Sequence, residues 1–527
     1  MFEFSILSPY QEPTRSKKGS QTTKVLAKIT MVKVKYGDMR FSIKNIVAKN
    51  KLVILLILVG IFLRLYKLNE FATFLGDQGR DAIIIKRIIT FEHFPAIGPT
   101  SSVGQVFLGP FFYYLMAPFL FLFRLNPLGL AFGLSFLSIV GLIAAYLIVR
   151  KEINKKVALF FLVLSVFSAT QIEFARFSWN PNLLPIFSFL TLYFLYRSIV
   201  TKKYIWPILF GAFLSFSIQL HYLALFLFIP IFIFFIANGF KDKKFSISQF
   251  PNFLISGASF ILFSSPLIIF DLKHNFLNTK NFIKIFTEQK VIAYSPPLDR
   301  LLTTINSFFS PILRVNFNPI LTLLTFLVLI IYFFKNKSFN KNLFLQLNFL
   351  NFFLYIFVFS LLNSFRYPHY YGQIYLSFFL ILAFISSQWS KHRWTKFIVI
   401  GLFIGYIALN SRNYIFLYKQ GNRQIWRAKI VAQSIIKQKP QIPYQVVPIS
   451  YTEMDRHIRY FLEIMGKTPL SDESSEQPKE LYILCYEKEC DALNHPQWQI
   501  AAFKNKKVEK IWKVDRVKIY KLIHKNK

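Results

Sequence analysis

The segment Phe74-Leu-Gly-Asp-Gln-Gly-Arg-Asp-Ala82 carries two carboxylates around an arginine. Asp77 and Asp81 are four residues apart, so on a helix they share one face beside Arg80. A carboxylate at a membrane–water boundary can serve as general base toward an incoming hydroxyl. The same spacing also fits a structural arrangement, with Asp77 as a helix N-cap and Asp81 paired with Arg80 or Lys86. Other polar groups stand in short interruptions of apolar sequence. Glu173, Arg176 and Asn180 lie in the stretch 171–182, next to Trp179 and Pro181. His221 sits in a turn with almost no loop around it. Lys273 and His274 open a longer polar stretch, and Arg366 and His369 lie within 363–372. Such residues at the end of a membrane span are either interfacial anchors or site residues. Cations there suit an anionic headgroup, and ordinary anchoring accounts for them equally.

The elements that must position these groups are membrane helices. The chain has 527 residues, of which 54% are hydrophobic, and they come in blocks rather than in amphipathic periods. Blocks near 20 residues match the thickness a helix must cross. The net charge of +38 raises nucleic acid as a partner. Most lysines and arginines, however, sit in short clusters between apolar blocks, where they orient helices, so no nucleic-acid partner is expected.

Charge placement sets the expected topology. The first 50 residues read as a disordered basic cytoplasmic leader, with Met31 and Met39 as alternative starts. The first span covers about 51–68, and the mixed stretch 71–123 follows as an outer loop. Within it, 80–94 has the spacing of an amphipathic surface helix. Counting 108–123 as a span would place the basic loops at 150–156, 197–203, 241–244, 335–341 and 391–396 outside. Read as an interfacial or re-entrant helix, broken by Gly109, Pro110 and Pro118, it leaves all five inside. About eleven spans result, near 51–68, 127–149, 156–170, 183–199, 204–220, 222–238, 251–270, 318–334, 343–362, 371–388 and 395–413.

The fold class expected is an all-α polytopic membrane protein with a small C-terminal α/β domain outside the cytoplasm. Its parts are the leader 1–50, the membrane domain 51–413 and the soluble domain 414–527. In the last, 424–437 and 454–467 read as helices, and 445–450, 481–486 and 517–523 as strands. Cys485 and Cys490 would face an oxidising side, either bridged or as two thiols. No zinc or redox spacing can be built from two cysteines, so no cofactor is expected, with a divalent metal left open.

Three motifs in order resemble the C-type glycosyltransferase superfamily (GT-C), in its protein O-mannosyltransferase and aminoarabinose transferase branch. They are Gly76-Asp77-Gln-Gly-Arg-Asp81, Gly109-Pro-Phe-Phe-Tyr-Tyr114, and Arg176 followed by Trp179-Asn-Pro181. Two departures stand out. Asp77-Gln78 replaces the family's common Asp-Glu pair, leaving Asp81 to cover a second carboxylate role. Asn180-Pro181 replaces Asp-Pro, and an amide can only hydrogen-bond or position, which leaves Glu173 as the nearest carboxylate. The resemblance implies a cell-membrane enzyme that moves a hexose or pentose from a polyprenyl-phosphate donor to a hydroxyl of a protein, lipid or glycan. Asp77 would take the acceptor proton; Arg176, Lys273, His274 or Arg366 would hold the leaving phosphate. Arg80, Glu173, Asn180, His221 and His369 would complete the substrate site. A transporter or lipid flippase is the competing class, but it favours ionisable groups near the bilayer midplane. A membrane-anchored binding protein would not need so many spans.

Overall fold

The computed structural model describes residues 50–101, 105–241, 243–287, 296–315, 318–450, 454–472 and 474–525. The basic leader up to residue 49 lies outside the described residues. Residues up to Leu55 form one unit and those from Leu56 onward another. The helix Lys51–Leu65 begins in the first of these.

Helices occupy every apolar stretch read as a span. Their ends follow the local sequence. Asn154, Asn318 and Asn342 cap helices through their side chains, and Arg150 and Lys151 close the last turn of Leu128–Glu152. Among the described residues, six helices are long and apolar enough to cross a bilayer. A seventh results if Lys155–Phe167 and Ala169–Ala175, bent by 63°, are one span. Ile205–Leu220, Tyr222–Ala237 and Pro319–Lys335 are apolar but shorter. Length and composition therefore support six or seven crossings, and the count of about eleven rests on the shorter helices.

The helix Phe111–Leu122 has 12 residues. At 1.5 Å per residue it is about 18 Å long, short of a ~30 Å hydrocarbon core. Gln219 ties it to the bundle: its Oε1 accepts the Phe111 N–H (3.3 Å). Its Nε2 donates to Ser215 Oγ and to the Phe263 carbonyl, both at 2.9 Å. A side chain at Gly109 would overlap this amide, since its Cβ would stand 2.2 Å from Gln219 Oε1.

The stretch between Asp271 and Asn318, read as a plain outer loop, contains two helices, Leu277–Thr287 and Pro297–Leu313. The second buries Thr304, Ile305, Phe308, Phe309 and Ile312 along one face. Its Ser, Thr, Asn and Pro content hid that period in the sequence.

The C-terminal domain carries a four-stranded sheet of order β1-β2-β4-β3. The strands are β1 (Tyr444–Ile449), β2 (Glu480–Cys485), β3 (Lys506–Val514) and β4 (Val517–His524). β1 and β2 are parallel, with Val447 opposite Ile483; β4 runs antiparallel to both β2 and β3. Pro448 is tolerated because β1 is an edge strand. β3 escaped the sequence reading because a register shift between Val508 and Lys510 breaks its alternation. Cys485 and Cys490 are disulfide-bonded.

This domain docks on the stretch after the first span. Its helix Arg456–Ile464 lies against the loop helix Gly76–Ile89. A Cβ at Gly79 would be 2.3 Å from the His457 backbone nitrogen. Arg87 and Lys86 reach Glu463 at 3.0 and 3.3 Å. Tyr460 donates to the Leu125 carbonyl (2.6 Å), and Phe74 N–H to Gln424 Oε1 (2.8 Å). The first loop and the C-terminal domain thus lie at the same end of the helical bundle.

Candidate active site

The loop helix starts at Gly76, with Leu75 in the N-cap position and Gln78 Oε1 reaching back to the Leu75 N–H (3.1 Å). Asp77 is therefore inside the first turn rather than the cap, where the helix dipole favours a carboxylate. Arg80 binds both acids. Its Nη1 donates to Asp77 Oδ1 (2.9 Å), and its Nε and Nη2 donate to Asp81 Oδ1 (2.9 and 2.8 Å). Asp81 pairs with Arg80 and not with Lys86, whose partners are Glu92 and Glu463.

The two carboxylates differ in access. The Asp77 side chain is 46% exposed, whereas Asp81 is fully buried. Burial pushes Asp81 up to about 6 against the pull of Arg80. The Tyr113 hydroxyl, from the short helix Phe111–Leu122, neighbours both Asp81 and Arg80. Sequence reading missed Tyr113 as a site residue, although it stands in the aromatic motif after Gly109. His457, on the helix Arg456–Ile464 that packs against the loop helix, is also buried, and burial lowers its imidazole to about 4.

The remaining candidates separate into groups. Arg176 Nη1 donates to the carbonyls of Leu63 and Arg64, and its Nη2 to that of Tyr66 (2.8–3.1 Å). Its guanidinium also lies 4.0 Å from the Phe416 ring centroid. It closes the C-terminal end of the first helix. Arg366 gives all its donors to Thr304 and Ser364 and to the carbonyls of Phe359, Leu362 and Ser364. Both arginines therefore hold helix ends, a role sequence position could not separate from phosphate binding. Arg366→Gln is expected to lower thermal stability while leaving the KM for a lipid-linked donor unchanged; thermal unfolding and donor titration check this.

Asn180 donates to the Leu220 carbonyl (2.7 Å), which brings it to His221. His221 Nδ1 accepts from the Leu223 N–H, and its ring lies 5.9 Å from that of His369. Burial, with His369 nearby, lowers His221 to about 3, so it is neutral at physiological pH. His369 packs edge-on to Trp179 at 4.6 Å. Asn180, His221, His369 and Trp179 thus form one polar-aromatic cluster. Glu173 pairs with Arg314 (3.1 Å), a residue the sequence did not single out.

Lys273 and His274 are exposed at the end of the helix Lys243–Lys273. Asp271 anchors the turn that follows, accepting the Asn278 N–H. Asn278 in turn exchanges hydrogen bonds with Phe107 (2.7 and 3.1 Å). The first loop is pinned close to these two cations. Among the described residues no three His, Cys, Asp or Glu side chains cluster as metal ligands.

Residues 108–269 match the family model of dolichyl-phosphate-mannose-protein mannosyltransferases. ArnT from Cupriavidus metallidurans, solved bound to undecaprenyl phosphate, shares the fold with a TM-score of 0.59 at 10% identity. That alignment covers 90% of this chain and 98% of ArnT. The oligosaccharyltransferase from Archaeoglobus fulgidus, solved with zinc and sulfate, aligns with a TM-score of 0.52 at 13% identity. It covers 82% of this chain and 67% of that one. No curated protein matches by sequence. Residues 108–269 are thus similar to the dolichyl-phosphate-mannose-protein mannosyltransferases, and the chain as a whole shares the fold of ArnT and of the archaeal oligosaccharyltransferase.

Proposed function

We propose that this membrane glycosyltransferase moves a sugar from a polyprenyl-phosphate donor to a hydroxyl acceptor, with Asp77 as general base. The observation that carries this reading is the unequal access of the paired carboxylates. Asp77 is open to a substrate, and Asp81 is sealed behind Arg80. A base must reach the proton it removes. The acceptor oxygen attacks the anomeric carbon, and the bond from that carbon to the phosphate oxygen breaks. The acceptor proton passes to Asp77, and the polyprenyl phosphate leaves with the electron pair. With Arg176 and Arg366 holding helix ends, Lys273 and His274 are the cations left to face the phosphate. The undecaprenyl phosphate bound by ArnT supports a donor of this class.

The reaction takes place on the outer face of the cell membrane, with the N-terminus inside and the C-terminal domain outside. The Cys485–Cys490 bond fits an oxidising compartment. Iodoacetamide without reductant should therefore leave both cysteines unlabelled in the mature protein, and reduction should expose both; peptide mass mapping reads this.

The buried Asp81 gives the enzyme an acid limb. Below about 6 Asp81 takes up a proton and loses its ion pair with Arg80. Arg80 then loses the buried anion that orients its guanidinium beside Asp77. Transfer should fall as pH drops through about 6, and Asp81→Asn should abolish that limb. A pH–rate profile of the two proteins measures this, and an unchanged limb in the variant would assign it to another group. The central test is the Asp77 substitution developed in the Discussion.

A further inference from the structure

The helix Pro297–Leu313 turns its second face toward a cleft of about 840 Å³. Thr303, Asn306, Ser307 and Ser310 recur every three or four residues along that face, which lines the cleft, and Arg314 closes it. Arg314 is itself paired with Glu173. Asn306 Oδ1 is buried without a hydrogen-bond partner, as is Arg314 Nε. An unmatched buried acceptor costs free energy unless a ligand or water completes it. Pro368 also borders the cleft, and its neighbours Tyr367 and His369 hold parallel rings 5.8 Å apart. The Tyr367 ring is 48% exposed.

We propose that this cleft binds the glycan portion of the acceptor, a neutral saccharide. The proposal rests on the transferase reading and names its acceptor class. Sugars present hydroxyl edges and apolar C–H faces. The hydroxyl and amide stripe matches the edges, and Leu302, Pro311 and Pro319, which line the same cleft, offer apolar surface to a face. The charge balance selects against an anion: the cleft's arginine is already neutralised by Glu173, and Asp299 lines the same cleft. A polar stripe built for water alone would be expected to carry lysine and glutamate; this one is mostly uncharged.

The test uses the full chain in nanodiscs of phosphatidylcholine and an array of neutral and acidic oligosaccharides. A neutral oligosaccharide should bind. Thr303→Val and Asn306→Leu should each weaken it by about tenfold, as loss of one matched hydrogen bond does. Neither should lower the unfolding temperature, and Asp77→Asn should bind as wild type does. Inorganic phosphate and polyprenyl-phosphate hexose should not displace the glycan. Absence of neutral-glycan binding, equal binding by the two cleft variants, or displacement by phosphate would overturn the proposal. Displacement by the lipid-linked hexose would give the cleft to the donor and overturn its assignment to the acceptor. Wild-type transfer without glycan binding rejects the cleft alone; glycan binding without any transfer rejects the transferase reading alone.

Discussion

Asp77→Asn should lower kcat for transfer from a polyprenyl-phosphate donor by about 10²–10⁴-fold, the usual contribution of a general base. The substitution keeps the side-chain volume and an oxygen that can still accept from Arg80 Nη1, so the loop helix should persist. It removes the ability to take a proton at pH 7, together with the charge that pairs with the partly exposed Arg80. Donor KM should stay close to wild type, because the cations that face the phosphate are untouched. Radiolabelled donor in membranes gives both constants. Wild-type turnover by the variant would end the base assignment. Turnover lost by Asp81→Asn at all pH values, but kept by Asp77→Asn, would move the role to Asp81.

Gly79→Val should produce the second large effect. The first atom of any side chain at this position would lie 2.3–2.5 Å from the backbone of Arg456 and His457. Backbone cannot swing aside as a flexible side chain can, so one element must move. Forced overpacking of this kind typically costs about 1–3 kcal/mol. The cost falls on the contact between the loop helix and the C-terminal domain, which also holds the Arg87–Glu463 pair. The domain should become sensitive to limited proteolysis, and transfer should fall by at least about fivefold, the lower end of that range converted. A variant that keeps protease resistance and activity would show that the docking does not position Asp77.

Several features of this arrangement are legible in the sequence because each has a local physical cause. The apolar stretch that Gly109 and Pro110 open forms a helix of only 12 residues, Phe111–Leu122. The Asp77, Arg80 and Asp81 spacing puts the three on one helical face, where Arg80 bridges the two acids. Other features depend on contacts between distant residues. Arg176 and Arg366 look like phosphate ligands in sequence, yet they serve helix carbonyls, because a helix end exposes acceptors that sequence does not display. Tyr113 approaches Asp81 only once the helix Phe111–Leu122 packs on the loop helix. The Glu173–Arg314 pair spans 141 positions and belongs to a helix that polar residues concealed. Asn180, 40 positions from Leu220 in sequence, donates to its carbonyl and so meets His221 only in the folded chain.

Bond cleavage in the lipid donor separates a transferase from a transporter. The purified full chain, placed in proteoliposomes with a polyprenyl-phosphate-linked sugar labelled in both its sugar and its phosphate, provides the direct measurement. Labelled polyprenyl phosphate should be released and labelled sugar should appear on a hydroxyl acceptor in equal amounts, and Asp77→Asn should slow both by about 10²–10⁴-fold. Intact donor moving from one leaflet to the other, with its sugar–phosphate bond unbroken and no dependence on Asp77, would contradict the transferase reading and identify a transporter.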